Sequence, residues 1–194
     1  MSRPDATIED PIVARVVHRS VIGDRAEGVS VVKIMLNIAP QGRSFTVGAD
    51  IAFLKPGFTA DDVSGGLRHY TIESVGAVPF EDSVDITVYV REQEGNHHEG
   101  VARHISDLSQ GDTVSIYGPF AYPFYPPAGS RSNMILIGAG CGMVPFRWLA
   151  HKMQARKLDW MGKVLMLEGP QTGLEHRYRN QHGADQDQYF DAAT

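Results

Sequence analysis

The chain has 194 residues, enough for one large domain or two small ones, and its 42% hydrophobic and 21% charged residues are those of an ordinary globular protein. A formal charge of −5 with no Lys/Arg run argues against a nucleic-acid partner. No stretch approaches the roughly 18 apolar residues of a membrane span, the opening MSRPDATIEDPIVARVV lacks the apolar core of a secretion signal, and the lone Cys141 excludes an internal disulfide. The expectation is a cytoplasmic protein with no membrane segment.

In chain order, IVARVVHRSVI (12–22) and VSVVKIMLNIA (29–39) are rich in β-branched residues and are separated by the loop-like GDRAEG. SFTVGADIAFL (44–54), RHYTIESV (68–75), SVDITVYVRE (83–92) and DTVSIYGPF (112–120) continue the pattern. Six strands with turn signals between them predict a closed antiparallel barrel or a sandwich. One helix interrupts them: in GVARHISDLSQGD (100–112), Val101, Ile105 and Leu108 share a face and Gly111 is a fitting stop.

After YPPAGSRS (125–132), which reads as a linker, the texture changes. NMILIGAG is a continuous apolar run, the pattern of a strand buried on both faces. VPFRWLAHKMQARKL is helical, GKVLMLEG (162–169) is a second buried strand, and LEHRYRNQ (174–181) could open another helix. Strand, helix, strand implies a parallel α/β unit with a right-handed crossover. A first domain over 1–130 and a partial second one over 131–194 follow.

Two stretches carry candidate chemistry. In ILIGAGCGMVPF a strand ends in Gly138, Gly140 and Gly142 and a helix begins near Pro145. Glycines permit tight turning and close approach of a ligand to the backbone, and a helix N-terminus favours phosphate. The spacing is G-x-G-x-G, because Met143 stands where the third glycine of a dinucleotide fingerprint falls. Phosphate binding and a plain glycine-rich turn both fit this stretch. In RHYT, Arg68 and Tyr70 point to one strand face, His69 and Thr71 to the other. That is either a half-exposed surface strand or a platform for a flat, anionic ligand. Cys141 reads as a small turn residue rather than a nucleophile, since no His/Asp constellation accompanies it. The eight histidines, His97, His98 and His104 among them, form no metal-ligand spacing and read as surface or loop residues.

Taken in order, these pieces resemble the ferredoxin–NADP reductase superfamily over about residues 11 to 180. That family carries an R-x-Y-[ST] strand, matched by RHYT (68–71), in an N-terminal barrel. It then has a glycine opening a short helix, a GD turn and a GP strand end, here Gly100, QGD and GPF. Its second domain opens with a strand, a G-x-G-x-G turn and PF, as ILIGAGCGMVPFR does, and LMLEGPQTGLEHRY resembles its next strand.

The resemblance implies a six-stranded antiparallel Greek-key flavin-binding barrel followed by a partial Rossmann-like parallel α/β domain. It implies FAD and NADP or NAD as cofactors. Tyr70 would stack on the flavin ring, Arg68 would hold its pyrophosphate, and Thr71 would hydrogen-bond near its N5, with His69 between them. Gly100, Val101, Ala102 and Arg103 would cap the pyrophosphate. Gly138, Gly140, Cys141, Gly142 and Pro145 would admit the nicotinamide nucleotide. The implied activity passes electrons between NAD(P)H and a redox partner: ferredoxin, flavodoxin or an oxygenase component. It needs no general acid or base from the protein. Contacts choosing NADPH or NADH would fall near Thr172, Arg177 or Tyr178. The chain departs from the family at Arg103, where Ser or Thr is usual, and at Ala121, where glycine is common. It also lacks the later Cys-Gly strand and terminal aromatic. A fragment of a longer reductase or a truncated, non-catalytic flavin-binding module therefore both remain open.

Overall fold

Alternation along the first strand already sets its orientation. In β1 (Ile12–Ile22), Ile12, Ala14 and Val16 are buried while Val13 and Arg15 face water, the period-two pattern of a half-buried strand. The computed structural model describes residues 11–22, 29–54, 57, 67–79, 81–93, 100–120, 129, 131–154, 162–168 and 190–191. The predicted segment 174–181, Thr172, His97 and His98, Gly169 and residues 125–128 of the linker lie outside them.

The first sheet contains β1, β2 (Val29–Ile38), β3 (Asp50–Leu54), β4 (Leu67–Thr71), β5 (Ser74–Ala77), β6 (Val84–Gln93) and β7 (Thr113–Phe120). Its order is β4-β3-β7-β1-β2-β6-β5, and every pairing is antiparallel. Its two edge strands, β4 and β5, are consecutive in the chain. The expected single strand 68–75 is thus two short ones, broken at Ile72 and Glu73. The cause is a change of partner. The Ile72 amide donates to the Ala49 carbonyl beside β3, whereas the Glu73 amide donates to Thr87 on β6. One bent segment therefore joins both edges, and the sheet curls into a barrel. Closure satisfies edge amides that an open sheet would leave to water.

The third strand is shorter than the expected 44–54. Gly48 adopts φ +89, and its amide donates to the Ile72 carbonyl, so regular pairing begins only at Asp50. Inside the barrel lie Ile34, Leu36, Ile51, Phe53, Ile72, Ile86 and Ile116, each fully buried. Burying one such side chain stabilises the fold by roughly 1.5–3 kcal/mol. Helix α1 (Val101–Asp107) closes one end, with Val101 and Ile105 in the same core. It stops before the expected Gly111 because Leu108 turns to extended backbone. A tight turn follows, in which the Ser109 amide donates to the Asp112 carboxylate and the Gly111 amide to the Val16 carbonyl.

The second sheet is parallel, in the order β10-β9-β8, formed by β8 (Met134–Gly138), β9 (Val164–Glu168) and β10 (Phe190–Asp191). A 3-10 turn, Gly140–Met143, leads from β8 into α2 (Val144–Gln154). Leu136 and Met166 pack under this helix with Met143 and Leu149. The expectation of strands buried on both faces is corrected here. Ile135 and Ile137 are 63% and 69% exposed and Leu165 is 37% exposed, since among the described residues the packed side of the sheet is the one under α2. A continuous apolar run does not reveal how many faces are covered.

Barrel and α2 meet where Gly48 faces Trp148. A β-carbon on Gly48 would stand 2.8 Å from the Trp148 ring, and the residue's positive φ already disfavours a side chain. Gly48→Ala should therefore cost roughly 2 kcal/mol, read as a lower midpoint of thermal unfolding. Gly76→Ala is the comparison: nothing lies within 4 Å of its added carbon, and the midpoint should hardly move.

Candidate functional site at the barrel rim

The register of β3 with β4 sets the first part of the site. Phe53 pairs with Arg68, Ile51 with Tyr70, Ala52 with His69 and Asp50 with Thr71. Phe53 and Tyr70 are diagonal neighbours, with ring centroids 5.5 Å apart and planes 77° apart. An edge-on contact of this kind fixes the Tyr70 ring against the core. Tyr70 is half-buried while Arg68, two residues earlier on the same face, stands exposed. The strand thus offers a seated flat ring beside a solvent-facing cation. On the other face His69 packs against Phe120, centroids 4.7 Å apart. Thr71 donates its hydroxyl hydrogen to the Asp50 carboxylate at 2.8 Å.

Helix α1 packs against β6 and touches β4, the strand of Arg68. Gly100 is the N-cap in extended backbone, with no side chain capping the amides that follow. Arg103 lies along the helix surface, its Nε 2.7 Å from the Asp107 carboxylate. Both partners are about half exposed, so the pair contributes little to stability.

The glycine turn is the third part. Val144 and Cys141 pack with Ile22, Val31 and Tyr89, which seats the turn on β1, β2 and β6 of the barrel. Within the turn the glycines differ. A β-carbon on Gly138 would stand 2.5 Å from the Met143 sulfur and 3.1 Å from the Gly142 carbonyl oxygen. Gly138 is crowded from within the turn: Met143, fully buried, fills the space beside it, so an added carbon would make the Met143 side chain and the Gly142 carbonyl shift. Gly142 has nothing within 4 Å of the same point and faces water. It leaves room for a ligand that the protein itself does not fill.

Electrostatics link the parts. Burial pushes the Tyr70 phenol up to about 12; nearby Arg68 opposes this and Cys141 adds to it. The Tyr89 phenol is pushed higher still by burial and by Glu73, opposed by Arg147 and raised further by Cys141. Cys141 adds to both shifts, and the turn that carries it packs on Tyr89 of β6. Sequence reasoning missed Asp50, Tyr89 and Trp148. A lone carboxylate inside the apolar stretch ADIAFL was the signal available for Asp50. Among the described residues no group of His, Cys, Asp and Glu could hold a metal, and no helix is long and apolar enough to cross a membrane.

No family model matches the chain. It is 26% identical over 152 residues to the cyanelle ferredoxin–NADP reductase of Cyanophora paradoxa, covering 74% of this chain and 41% of that protein. The fold is similar to that of ferredoxin–NADP+ reductase from Plasmodium falciparum, solved with 2'P-AMP. There the TM-score is 0.60 at 15% identity, over 96% of this chain and 74% of the other. It is also similar to phthalate dioxygenase reductase, with a TM-score of 0.60 at 18% identity, over 93% of this chain and 51% of that one. In sequence and in fold, these likenesses are all to ferredoxin–NADP reductases and related reductases. The chain spans 32% to 50% of the length of the first three curated relatives. Within this fold, the RHYT strand, the start of α1 and the glycine turn, far apart in sequence, all border β6 or β4.

The raised phenols predict an alkaline transition. With Tyr70 at about 12 when folded against 10.0 when unfolded, the native chain holds the extra proton between those values. This contribution is intact below pH 10 and is lost as the pH rises towards 12. The thermal midpoint should fall across that window, and less steeply in Tyr70→Phe. Parallel curves for the variant and the parent would exclude Tyr70 as a cause.

Proposed function

We propose that the chain is the flavin-binding part of an NAD(P)H-dependent oxidoreductase that passes electrons to a redox partner protein. The carrying observation is the seated Tyr70 ring beside the exposed Arg68 on β4, with the glycine turn and helix α1 both packed on β6, which β4 also touches. In this reading the barrel is the Greek-key flavin domain, ending near residue 130, and the parallel sheet is a partial Rossmann-like nucleotide domain. The donor set fits FAD. Tyr70 is a ring already seated by Phe53, Arg68 is an exposed guanidinium suited to a pyrophosphate, and the α1 amides from Val101 to Arg103 lack side-chain caps.

The flavin, when bound, supplies the two-electron and one-electron chemistry that no amino-acid side chain offers. The chain's own residues bind and orient. Tyr70 would support one ring face, and its burial extends the neutral form of the phenol into more alkaline pH. Arg68 neutralises phosphate charge, and His69 keeps the strand in place through Phe120. Thr71 would lie near the ring's N5. Gly142 faces open space in the turn; NADP or NAD would approach there, beside Gly140, Cys141 and Pro145, while Gly138 lets Met143 support the turn. A ferredoxin, a flavodoxin or an oxygenase component would take the electrons. The names of the cyanelle and phthalate dioxygenase relatives support that class of partner.

The purified chain should show visible flavin bands after reconstitution with FAD, and NADPH or NADH should bleach them under anaerobic conditions. Bands that neither nucleotide bleaches would leave a flavin-binding module without reductase activity; no bands at all would overturn both readings. Arg68→Ala should weaken FAD retention about tenfold or more with an unchanged thermal midpoint, consistent with loss of a charge-assisted contact.

A further inference from the structure

Asp50 belongs to none of the motifs that mark the site, yet it faces Thr71 directly in the β3–β4 register. Its Oδ1 accepts the Thr71 hydroxyl hydrogen at 2.8 Å. The position of Asp50 is itself constrained. Opposite Asp50 and Ala52, β7 carries an extra residue: Asp50 pairs with Phe120, and Ala52 with Tyr117. Such a bulge bends a strand and re-aims nearby side chains. Gly118, at φ +112, fits closely against the Asp50 carbonyl, where a β-carbon would stand 3.1 Å from the oxygen, and Arg43 donates to the Gly118 carbonyl at 2.9 Å.

A hydroxyl has one hydrogen to give and lone pairs to offer. A hydrogen bond to a charged carboxylate is stronger than one to a neutral acceptor, which keeps that one hydrogen on Asp50. Thr71 then has only acceptor capacity left for a ligand. The ring nitrogen of a flavin reverses its own role with redox state: oxidised, it is an acceptor; reduced, it carries hydrogen and donates. An acceptor facing an acceptor gains nothing, whereas an acceptor facing a donor makes a bond.

We propose that Asp50 is a positioning residue that holds the Thr71 hydroxyl as a hydrogen-bond acceptor, and that this hydrogen bond biases the site towards reduced flavin relative to the same site with the hydroxyl free to donate. This rests on the flavin reading above and on Thr71 meeting the ring nitrogen. Asp50 acts through Thr71 and touches no reacting atom.

The measurement is the ratio of dissociation constants for oxidised and dithionite-reduced FAD, by anaerobic calorimetry on the full chain. Asp50→Asn keeps an acceptor without the charge, while Asp50→Ala removes both, so comparing the two variants cancels the charge effect. Relative to Asp50→Asn, Asp50→Ala should shift the ratio about tenfold towards oxidised flavin, because the freed hydrogen can now turn to the oxidised nitrogen. The same comparison in a Thr71→Val background should show no shift. Equal ratios for the Asn and Ala variants, or a shift that persists in Thr71→Val, would overturn the inference while leaving flavin binding in place. If Asp50→Ala lacks a cooperative unfolding transition, Thr71→Val alone decides. A ratio moved about threefold or more towards oxidised flavin supports the role, and an unchanged one refutes it. Failure of the parent chain to bind FAD in either state would overturn the flavin reading and this inference together.

Discussion

The two-residue step at Ile72 and Glu73 is the constraint on which the rest of the structure depends. Its backbone amides serve opposite edges of one sheet, Ala49 beside β3 and Thr87 on β6. Because the same short segment satisfies both, the sheet has to close. Closure encloses Phe53, Ile72, Ile86 and their neighbours away from water, and it brings the strand of Arg68 and Tyr70 close to β6. Without that step, β4 and β5 would be unprotected edges and Tyr70 would have no defined relation to the glycine turn.

From this closure the site is assembled by three kinds of contact. An aromatic edge seats Tyr70, a small apolar cluster around Val144 and Tyr89 seats the turn, and Gly48 yields room for Trp148. None is individually strong, yet each removes a degree of freedom between pieces of chain that would share a ligand in the proposed function. Preorganisation of this kind lowers the ordering cost of binding. The polar groups are fewer and more exposed, as expected where a charged cofactor would complete them.

Glycine and large side chains exchange roles in the turn. The three glycines look equivalent in GAGCG, but Gly138 is held small by Met143, whereas Gly142 faces open space. A glycine crowded by the protein's own packing needs no ligand to explain it, and open space beside a glycine points to none by itself. Asp50 teaches the converse: a residue with no place in any motif becomes interesting once its partner is known, since a carboxylate decides which way a neighbouring hydroxyl points.

Alternating and apolar patterns in the sequence determined the strands, because each side chain's exposure follows locally from a repeat of two. The short helix after Gly100 and the strand–turn–helix around Gly138 were equally legible, since turn and capping chemistry is local. The ordered motifs RHYT, QGD, GPF and GAGCG were enough for the resemblance. Only the tertiary structure decided that strand 68–75 is broken, that β8 leaves Ile135 and Ile137 uncovered, that Met143 replaces the expected glycine by filling the space at Gly138, and that Asp50 holds Thr71. Each depends on which distant segment arrives at a given face. Periodicity in one strand describes its two sides, but not what will come to lie against them.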